Sequence, residues 1–273
     1  MFYNNIDPVF FSIGPFDVRY YGLVYGIGFL CSYLALRYFI SKDEDTPLEK
    51  KDADDIILYI LLGSIVGARI FYSFVYNIEG IMRNPFDIFI MWRGGMSFHG
   101  GLLGGFLAVV LYVFRYNKKV KKEKDRISVY HITDLVSFSL AFSIMLGRLG
   151  NFANNELYGR ITNVPWAVKF KTAEGFRHPS QIYEAIYSAT IGFVLLWLNQ
   201  KKMPRGFLTW TFFVLYGTFR FITEFFRQPD PQMGASGFYF GWITMGQILG
   251  VLMIVAGGYM LYRIYNKESK KYE

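Results

Sequence analysis

Three charged residues at the end of an apolar stretch are the first sign of chemistry in this chain. Arg220, Glu224 and Arg227 are spaced i, i+4 and i+7, so on a helix they would project from one face. An ion pair between Arg220 and Glu224 would be a sufficient structural explanation for those two residues, but it leaves a surplus positive charge. Arginine stays charged and offers fixed bidentate donors, a geometry that suits a phosphate.

Further polar residues interrupt the other apolar stretches. Arg69, Asp134 and Glu184 lie within three of them, Arg148 ends one, and His99 opens another. Polar residues at membrane depth are costly and usually functional. If the apolar stretches cross a membrane, then His99, Arg148 and the arginines near residue 220 reach the same interface. An anionic lipid headgroup would lie at this depth.

His99 stands among glycines that would let a ligand approach its ring. It is either a general acid–base group, the commonest role of histidine in catalysis, or a satisfied structural residue. The other histidines, His131 and His178, are predicted on opposite membrane faces, so a three-histidine zinc site is not expected. The single cysteine, Cys31, excludes a disulfide within the chain. We expect no metal and no cofactor.

Seven stretches are long and apolar enough for transmembrane helices, which need about 20 residues. They cover residues 20–40, 56–78, 96–114, 129–147, 179–198, 206–226 and 238–262. Charged residues make up 18% of the 273-residue chain, below the quarter or so that is typical of soluble domains. We therefore expect an all-α integral membrane protein that forms one domain, residues 1–273.

The basic residues predict the orientation of these spans. Lysine and arginine cluster in the first, third and fifth connections and in the C-terminal tail. Cytoplasmic loops carry such an excess, so seven spans place the N-terminus outside and the C-terminus inside. Because the basic residues cluster in these loops, we interpret the net charge of +8 as a signal for membrane orientation. No nucleic-acid partner is expected. The polar segment 149–178 is predicted to form a small extracytoplasmic head.

Residues 147–159, Gly-Arg-Leu-Gly-Asn-Phe-Ala-Asn-Asn-Glu-Leu-Tyr-Gly, resemble the signature of the bacterial phosphatidylglycerol–prolipoprotein diacylglyceryl transferase family. Residues 19–22, 99–101, 178–184 and 216–227 are similar to other motifs of that family. Together the matches cover nearly the whole chain in order.

This resemblance implies a transferase at the outer face of the bacterial cytoplasmic membrane. It would move the diacylglyceryl group from phosphatidylglycerol to the thiol of the lipobox cysteine in a prolipoprotein signal peptide. A thioether would form and glycerol 1-phosphate would leave, which is the first step of lipoprotein maturation. The nucleophile would come from the substrate, and both substrates would reach the site among membrane lipids.

The resemblance also implies roles for single residues. Arg148 and Arg220 would contact the headgroup and act in catalysis, and His99 would be the candidate base or a positioning residue. Five further residues carry over as substrate-binding: Tyr21, Asn151, Glu156, Gly159 and Glu224. Arg69 and Arg227, singled out by depth and spacing, join that expected set.

Two other classes of protein would also bury charges in a membrane. A small transporter usually has internal repeats and a site at the midplane, whereas here no convincing repeat is found and the charges gather at one interface. A noncatalytic receptor or assembly protein would use the same ion pairs structurally. A transfer assay distinguishes the three.

Overall fold

The computed structural model describes residues 1–14, 16–43, 45–90, 94–201, 203–228 and 243–269, except for the side chains of Phe16, Tyr21 and Tyr25. This part of the chain is mostly helical. Six of its helices are long and apolar enough to cross a membrane: α1 (Tyr20–Ile40), α2 (Lys50–Phe71), α4 (Phe98–Lys119), α5 (Tyr130–Ala153), α6 (Ser180–Asn199) and α8 (Met245–Ser269). They confirm the prediction of a helical, multi-pass membrane protein.

Two shorter α-helices complete the set of α-helices among the described residues. The helix α7 (Phe207–Thr223) is apolar but has 17 residues, fewer than the other candidate spans. The helix α3 (Ile78–Arg83) follows a π-helical turn, Tyr72–Tyr76, at the end of α2. The predicted seventh span is matched by α8 from Met245 onward, and its first residues, 238–242, lie outside the described part of the chain.

The chain forms two compact units. We call Tyr33–Thr133 the middle unit, and Met1–Ser32 together with Asp134–Glu273 the terminal unit. In the middle unit α2 packs directly on α4 through glycines. A Cβ atom at Gly67 would lie 2.4 Å from the Gly100 carbonyl oxygen, and one at Gly63 would lie 2.6 Å from that of Gly104. Gly63 and Gly67, like Gly100 and Gly104, are one helical turn apart, and small residues at this spacing permit two helices to approach closely.

In the terminal unit, a buried carboxylate holds the start of α7. Asp134 of α5 accepts hydrogen bonds from the backbone N–H groups of Gly206, at 2.6 Å, and Thr209, at 2.8 Å. These are N–H groups that a helix start leaves without intrahelical partners. Asp134 therefore serves as a cap supplied by a neighbouring helix. Further along, α7 packs on α8, where a Cβ atom at Gly217 would lie 2.7 Å from the Gly250 carbonyl oxygen.

The polar segment between α5 and α6 contains two short strands, and one of them pairs with the N-terminal strand. The strand β1 (Phe2–Asn4) pairs in parallel with β4 (Val168–Phe170), and β5 (Phe176–Arg177) pairs antiparallel with β4. The strands β2 (Val9–Ile13) and β3 (Phe16–Arg19) form a separate hairpin. The polar segment is thus tied to the N-terminus of the chain, a pairing that helical periodicity did not predict.

Several helix ends differ from the predicted spans, and two of them lie near the charged residues. The helix α5 continues past residue 147 to Ala153, because Gly150 and Asn151 are buried within it instead of ending it. Asn155 follows in the left-handed region at φ 57°, a conformation that favours Asn at a helix end. The helix α7 ends at Thr223, before the predicted 226. Glu224 caps it, and Arg227 lies beyond it, so the three charged residues do not share one helix face.

Candidate active site

A fully buried carboxylate, Glu184 of α6, lies at the centre of the polar cluster in the terminal unit. Its Oε2 atom is 2.9 Å from Nε of Arg148, and its Oε1 atom is 3.4 Å from an Nη atom of Arg220. Nε of Arg227 lies 4.0 Å from the same Oε1 atom. Three guanidinium groups from separate parts of the chain thus converge on one carboxylate. The Glu184 side chain is 0% exposed, so this carboxylate has no contact with bulk water.

Arg148 belongs to the last two turns of α5, which also arrange the polar groups beside it. One Nη atom of Arg148 donates to Asn151 Oδ1 at 3.4 Å, and Asn151 Nδ2 donates to Glu156 Oε1 at 2.7 Å. The backbone N–H of Glu156 donates to the Asn151 carbonyl at 3.1 Å, which closes the end of the helix. The helix end therefore fixes the order Arg148, Asn151, Glu156 in space.

The first turn of α6 holds the chain that follows α5. Gln181 Nε2 donates to the Glu156 carbonyl at 2.6 Å, and Ser180 Oγ donates to the Leu157 carbonyl at 3.1 Å. Both Ser180 and Gln181 are 0% exposed. The same turn of α6 that leads to Glu184 thus also anchors the loop that carries Glu156.

Arg220 is held by a second carboxylate at the end of α7. Its second Nη atom lies 2.9 Å from Glu224 Oε2, so the expected ion pair between these two residues is present. The first turns of α8 pack against this carboxylate, because a Cβ atom at Gly246 would lie 2.5 Å from Glu224 Oε2. Only glycine fits at that position without moving Glu224.

Backbone pairing brings Arg227 and Gly159 together. These two residues form an isolated antiparallel bridge, and the Arg160 N–H donates to the Phe226 carbonyl at 2.9 Å. Gly159 also donates to the His178 carbonyl at 2.9 Å. A Cβ atom at Gly159 would lie 2.5 Å from the Phe226 carbonyl oxygen and 2.7 Å from His178 Cβ, so a side chain there would disturb this pairing.

His178 belongs to the wall of this region. Trp166 Nε1 donates to the Tyr183 hydroxyl at 2.7 Å, which leaves the Tyr183 proton free to donate to His178 Nδ1 at 3.1 Å. Burial lowers the pKa of His178, in keeping with a neutral ring that accepts at Nδ1. The hydrogen-bond pattern assigns His178 a structural role beside the bridge of Gly159 and Arg227.

The remaining predicted residues lie elsewhere in the chain. Arg69 and His99 belong to the middle unit, where His99 is exposed in the first turn of α4. Tyr21 is the second residue of α1, and its side chain lies outside the described residues. Seven of the predicted residues share the terminal unit's cluster: Arg148, Asn151, Glu156, Gly159, Arg220, Glu224 and Arg227.

Three residues of the cluster were not predicted as site residues. Glu184 is a polar residue within a predicted span and, like Gln181, belongs to the motif at 178–184, while the spacing of Gly246 from Gly250 indicates only close helix packing. Their roles depend on contacts between helices, which spacing along one helix does not reveal. Among the described residues, no group of three or more His, Cys, Asp or Glu side chains forms a metal site.

Comparison with known proteins gives a consistent result along the chain. Residues 8–263 match the family model of the prolipoprotein diacylglyceryl transferases. A phosphatidylglycerol–prolipoprotein diacylglyceryl transferase of Coxiella burnetii is 38% identical over 272 residues, covering 99% of this chain and 100% of the relative. Proteins with the same name from Oleidesulfovibrio alaskensis and Vibrio vulnificus are 40% and 41% identical, covering 98% and 93% of this chain and 97% and 90% of the relatives. The chain therefore belongs to the prolipoprotein diacylglyceryl transferase family.

Proposed function

We propose that this protein transfers the diacylglyceryl group from phosphatidylglycerol to the thiol of the lipobox cysteine in prolipoproteins. The products are a thioether-linked lipoprotein precursor and glycerol 1-phosphate, and the reaction is the first step of lipoprotein maturation. The observation that carries this proposal is the convergence of Arg148, Arg220 and Arg227 on the buried Glu184, in a chain that is similar to named transferases over its full length.

The charge of this cluster suits a phosphodiester. The guanidinium groups of Arg148 and Arg220 both lie within 3.4 Å of one carboxylate, Glu184, so the two groups are held close together. The phosphate of phosphatidylglycerol carries a negative charge, which two adjacent guanidinium groups would attract in a site with little water. Arginine supplies the planar, bidentate donors that phosphate oxygens accept best.

In the proposed reaction the thiol sulfur forms a bond to the glyceryl carbon that carries the phosphate. The bond between that carbon and the phosphate oxygen breaks, and its electron pair stays on the oxygen as glycerol 1-phosphate leaves. Negative charge grows on the phosphate in the transition state, where preorganised Arg148 and Arg220 stabilise it. Asn151 and Glu156 hold Arg148 in place, while Glu224 holds Arg220.

The thiol must lose its proton, because the thiolate is the nucleophile. His99 is the proposed base, and its exposed place in the first turn of α4 leaves the ring open to a substrate. The alternative is that His99 positions the substrate and the positive field of the arginines favours the thiolate. We propose that Tyr21, Gly159 and Arg227 complete the substrate-binding set.

The proposed setting is the bacterial cytoplasmic membrane, with seven spans, the N-terminus outside and the C-terminus inside. The 17 residues of α7 would extend about 26 Å at 1.5 Å per residue, close to the hydrocarbon thickness, so α7 counts as a span. Basic loops on the cytoplasmic side then leave Arg148, Arg220 and the segment 154–179 at the outer face. There the site would meet both lipid and secreted substrate.

A direct assay tests the proposed function. Purified full-length protein is mixed with phosphatidylglycerol labelled in its headgroup glycerol and with a lipobox peptide. We expect labelled glycerol phosphate to be released together with a mass increase on the peptide, and neither product with a peptide whose cysteine is replaced by serine. Release without peptide, or no release by protein that is folded, would contradict the proposal.

A further inference from the structure

Arg69, near the end of α2, donates all of its side-chain hydrogen bonds to backbone carbonyls. A guanidinium group has five N–H donors and no acceptor. Here Nε donates to Ile88 at 2.8 Å, one Nη atom to Gly94 at 2.7 Å and Gly95 at 3.0 Å, and the other to Asp87 and to Ile90 at 3.0 Å. The residue is 8% exposed, and none of its donors is left over for a ligand.

The chain before α4 has the conformation that this arrangement needs. Gly94 and Gly95 both have φ of +82°, in the left-handed region that favours glycine, and their carbonyls point to the same Nη atom. A Cβ atom at Gly95 would lie 2.4 Å from Tyr72 Cε1 and 2.8 Å from an Nη atom of Arg69. A side chain at residue 95 would therefore displace the arginine or the tyrosine ring.

The same segment leads directly into the first turn of α4. The Ser97 N–H donates to the Ala68 carbonyl at 3.0 Å, and Ser97 Oγ accepts from the Gly100 N–H at 3.3 Å as the helix cap. His99 is the second residue of α4. Two adjacent residues of α2, Ala68 and Arg69, thus hold the backbone before α4. This backbone determines where α4 begins and therefore where His99 lies.

We propose that Arg69 is a positioning residue, which fixes the segment before α4 and through it His99, and that it does not bind the phosphate. This inference rests on the proposed function for its kinetic consequences and replaces the expected substrate-binding role of Arg69. A phosphate could reach this guanidinium only by displacing the carbonyls that already accept its N–H groups, and those carbonyls would then lose their donor. Lysine, with three donors on one atom, cannot replace a five-way planar group.

The test compares Arg69→Lys with wild-type protein in three measurements on the full-length chain. We expect amide hydrogen exchange of residues 94–97 to rise, kcat for the transfer to fall on the order of tenfold to a hundredfold, and the KM for phosphatidylglycerol to stay within about twofold. Gly95→Ala reaches the same contacts from the other side and should give the same three results. Arg37→Lys, in an exposed ion pair with Asp54, is the matched control and should change none of them.

Two outcomes would overturn the inference. Unchanged exchange of residues 94–97 in Arg69→Lys together with a KM raised about tenfold would make Arg69 a phosphate ligand. Unchanged exchange and unchanged kinetics would remove any role in positioning. If wild-type protein shows no transfer at all, the proposed function fails, but the exchange measurement on Arg69→Lys and Gly95→Ala still decides whether Arg69 holds the segment.

Discussion

A carboxylate buried as completely as Glu184 is costly unless opposite charge surrounds it. Arg148, Arg220 and Arg227 supply that charge, and Arg148 would in turn be costly without its ion pair to Glu184. The ion pairs of Glu184 Oε2 with Arg148 and of Glu224 Oε2 with Arg220 are 2.9 Å long. A guanidinium group has five N–H donors, so an arginine held by a carboxylate can still donate to a phosphate oxygen.

Glu184→Gln removes the central charge and keeps the shape of the side chain. Arg148 would then lose its 2.9 Å ion pair and Arg220 would keep the one with Glu224, so we expect a loss of about 3–5 kcal/mol in stability and a clear fall in transfer rate. Thermal unfolding in detergent and the glycerol-phosphate assay measure the two effects. Glu174→Gln, an exposed carboxylate of the same unit, is the control. Equal stability and rate in the two variants would show that Glu184 does not organise the site.

His99→Gln tests the origin of the thiolate. If the imidazole is the base, turnover should fall by roughly a hundredfold or more, while phosphatidylglycerol binding survives. The measurement is the pH dependence of kcat together with lipid affinity. Near-normal turnover at every pH would make His99 a positioning residue and leave thiol activation to the positive field.

At the scale of secondary structure, the ends of the helices carry most of the side chains of the site. The last turns of α5 carry Arg148 and Asn151, the first turns of α6 carry Gln181 and Glu184, and the end of α7 carries Arg220. Helix ends expose backbone groups that need partners, and at the end of α5 the Asn4 side chain of β1 supplies one, where its Nδ2 donates to the Phe152 carbonyl at 2.7 Å. The position of each helix end therefore decides which side chains reach the cluster.

The apolar runs predicted the helices well, because length and hydropathy decide what crosses a membrane. Several helix ends differ from the predicted ones by three to seven residues. At α5 the reason is that buried Gly150 and Asn151 continue the helix where their composition suggested a loop. The pairing of β1 with β4 joins residues more than 160 positions apart and has no local signal. Glu184 was underestimated because its partners come from other helices.

The glycine contact between α2 and α4 gives a prediction with an internal control. Gly67→Ala would place a Cβ atom 2.4 Å from the Gly100 carbonyl oxygen, so it should destabilise the packing by about 1–3 kcal/mol. Gly101→Ala, on the same pair of helices, would meet its nearest atom at 3.6 Å, an ordinary contact, and should be tolerated. Thermal unfolding in one detergent compares the two. Equal stability would mean that the helices are not packed through Gly67.

At the scale of the whole molecule, the arrangement of charge predicts which face carries the site. The basic connection at 115–126 and the C-terminal tail belong to the cytoplasm under the positive-inside rule, and the segment 154–171 belongs outside. The seven-span count, the orientation and the single-domain organisation stay predictions. They follow from the distribution of apolar and basic residues along the chain. This distribution predicts which side of the membrane each loop faces, but it does not predict which helices contact one another.

Cysteine labelling tests the orientation. After the exposed native Cys31 is replaced by serine, single cysteines are placed at exposed Lys121 and exposed Asn163. An impermeant reagent applied to spheroplasts should label Asn163→Cys and reach Lys121→Cys only after lysis. Labelling of Lys121→Cys in intact spheroplasts would contradict the orientation and move the site to the other face.

The central claim is that Arg148 and Arg220 stabilise the departing phosphate, and their alanine variants test it most directly. The measurement is the single-turnover rate of glycerol-phosphate release by Arg148→Ala and Arg220→Ala, with thermal stability as the folding control and Arg37→Ala as the matched exposed arginine. Each lost contact should cost on the order of 3 kcal/mol, or at least about a hundredfold in rate, and lysine should restore little of it because bidentate geometry is lost. Arg37→Ala should keep the wild-type rate. Folded Arg148→Ala and Arg220→Ala proteins that transfer at the wild-type rate would contradict the claim.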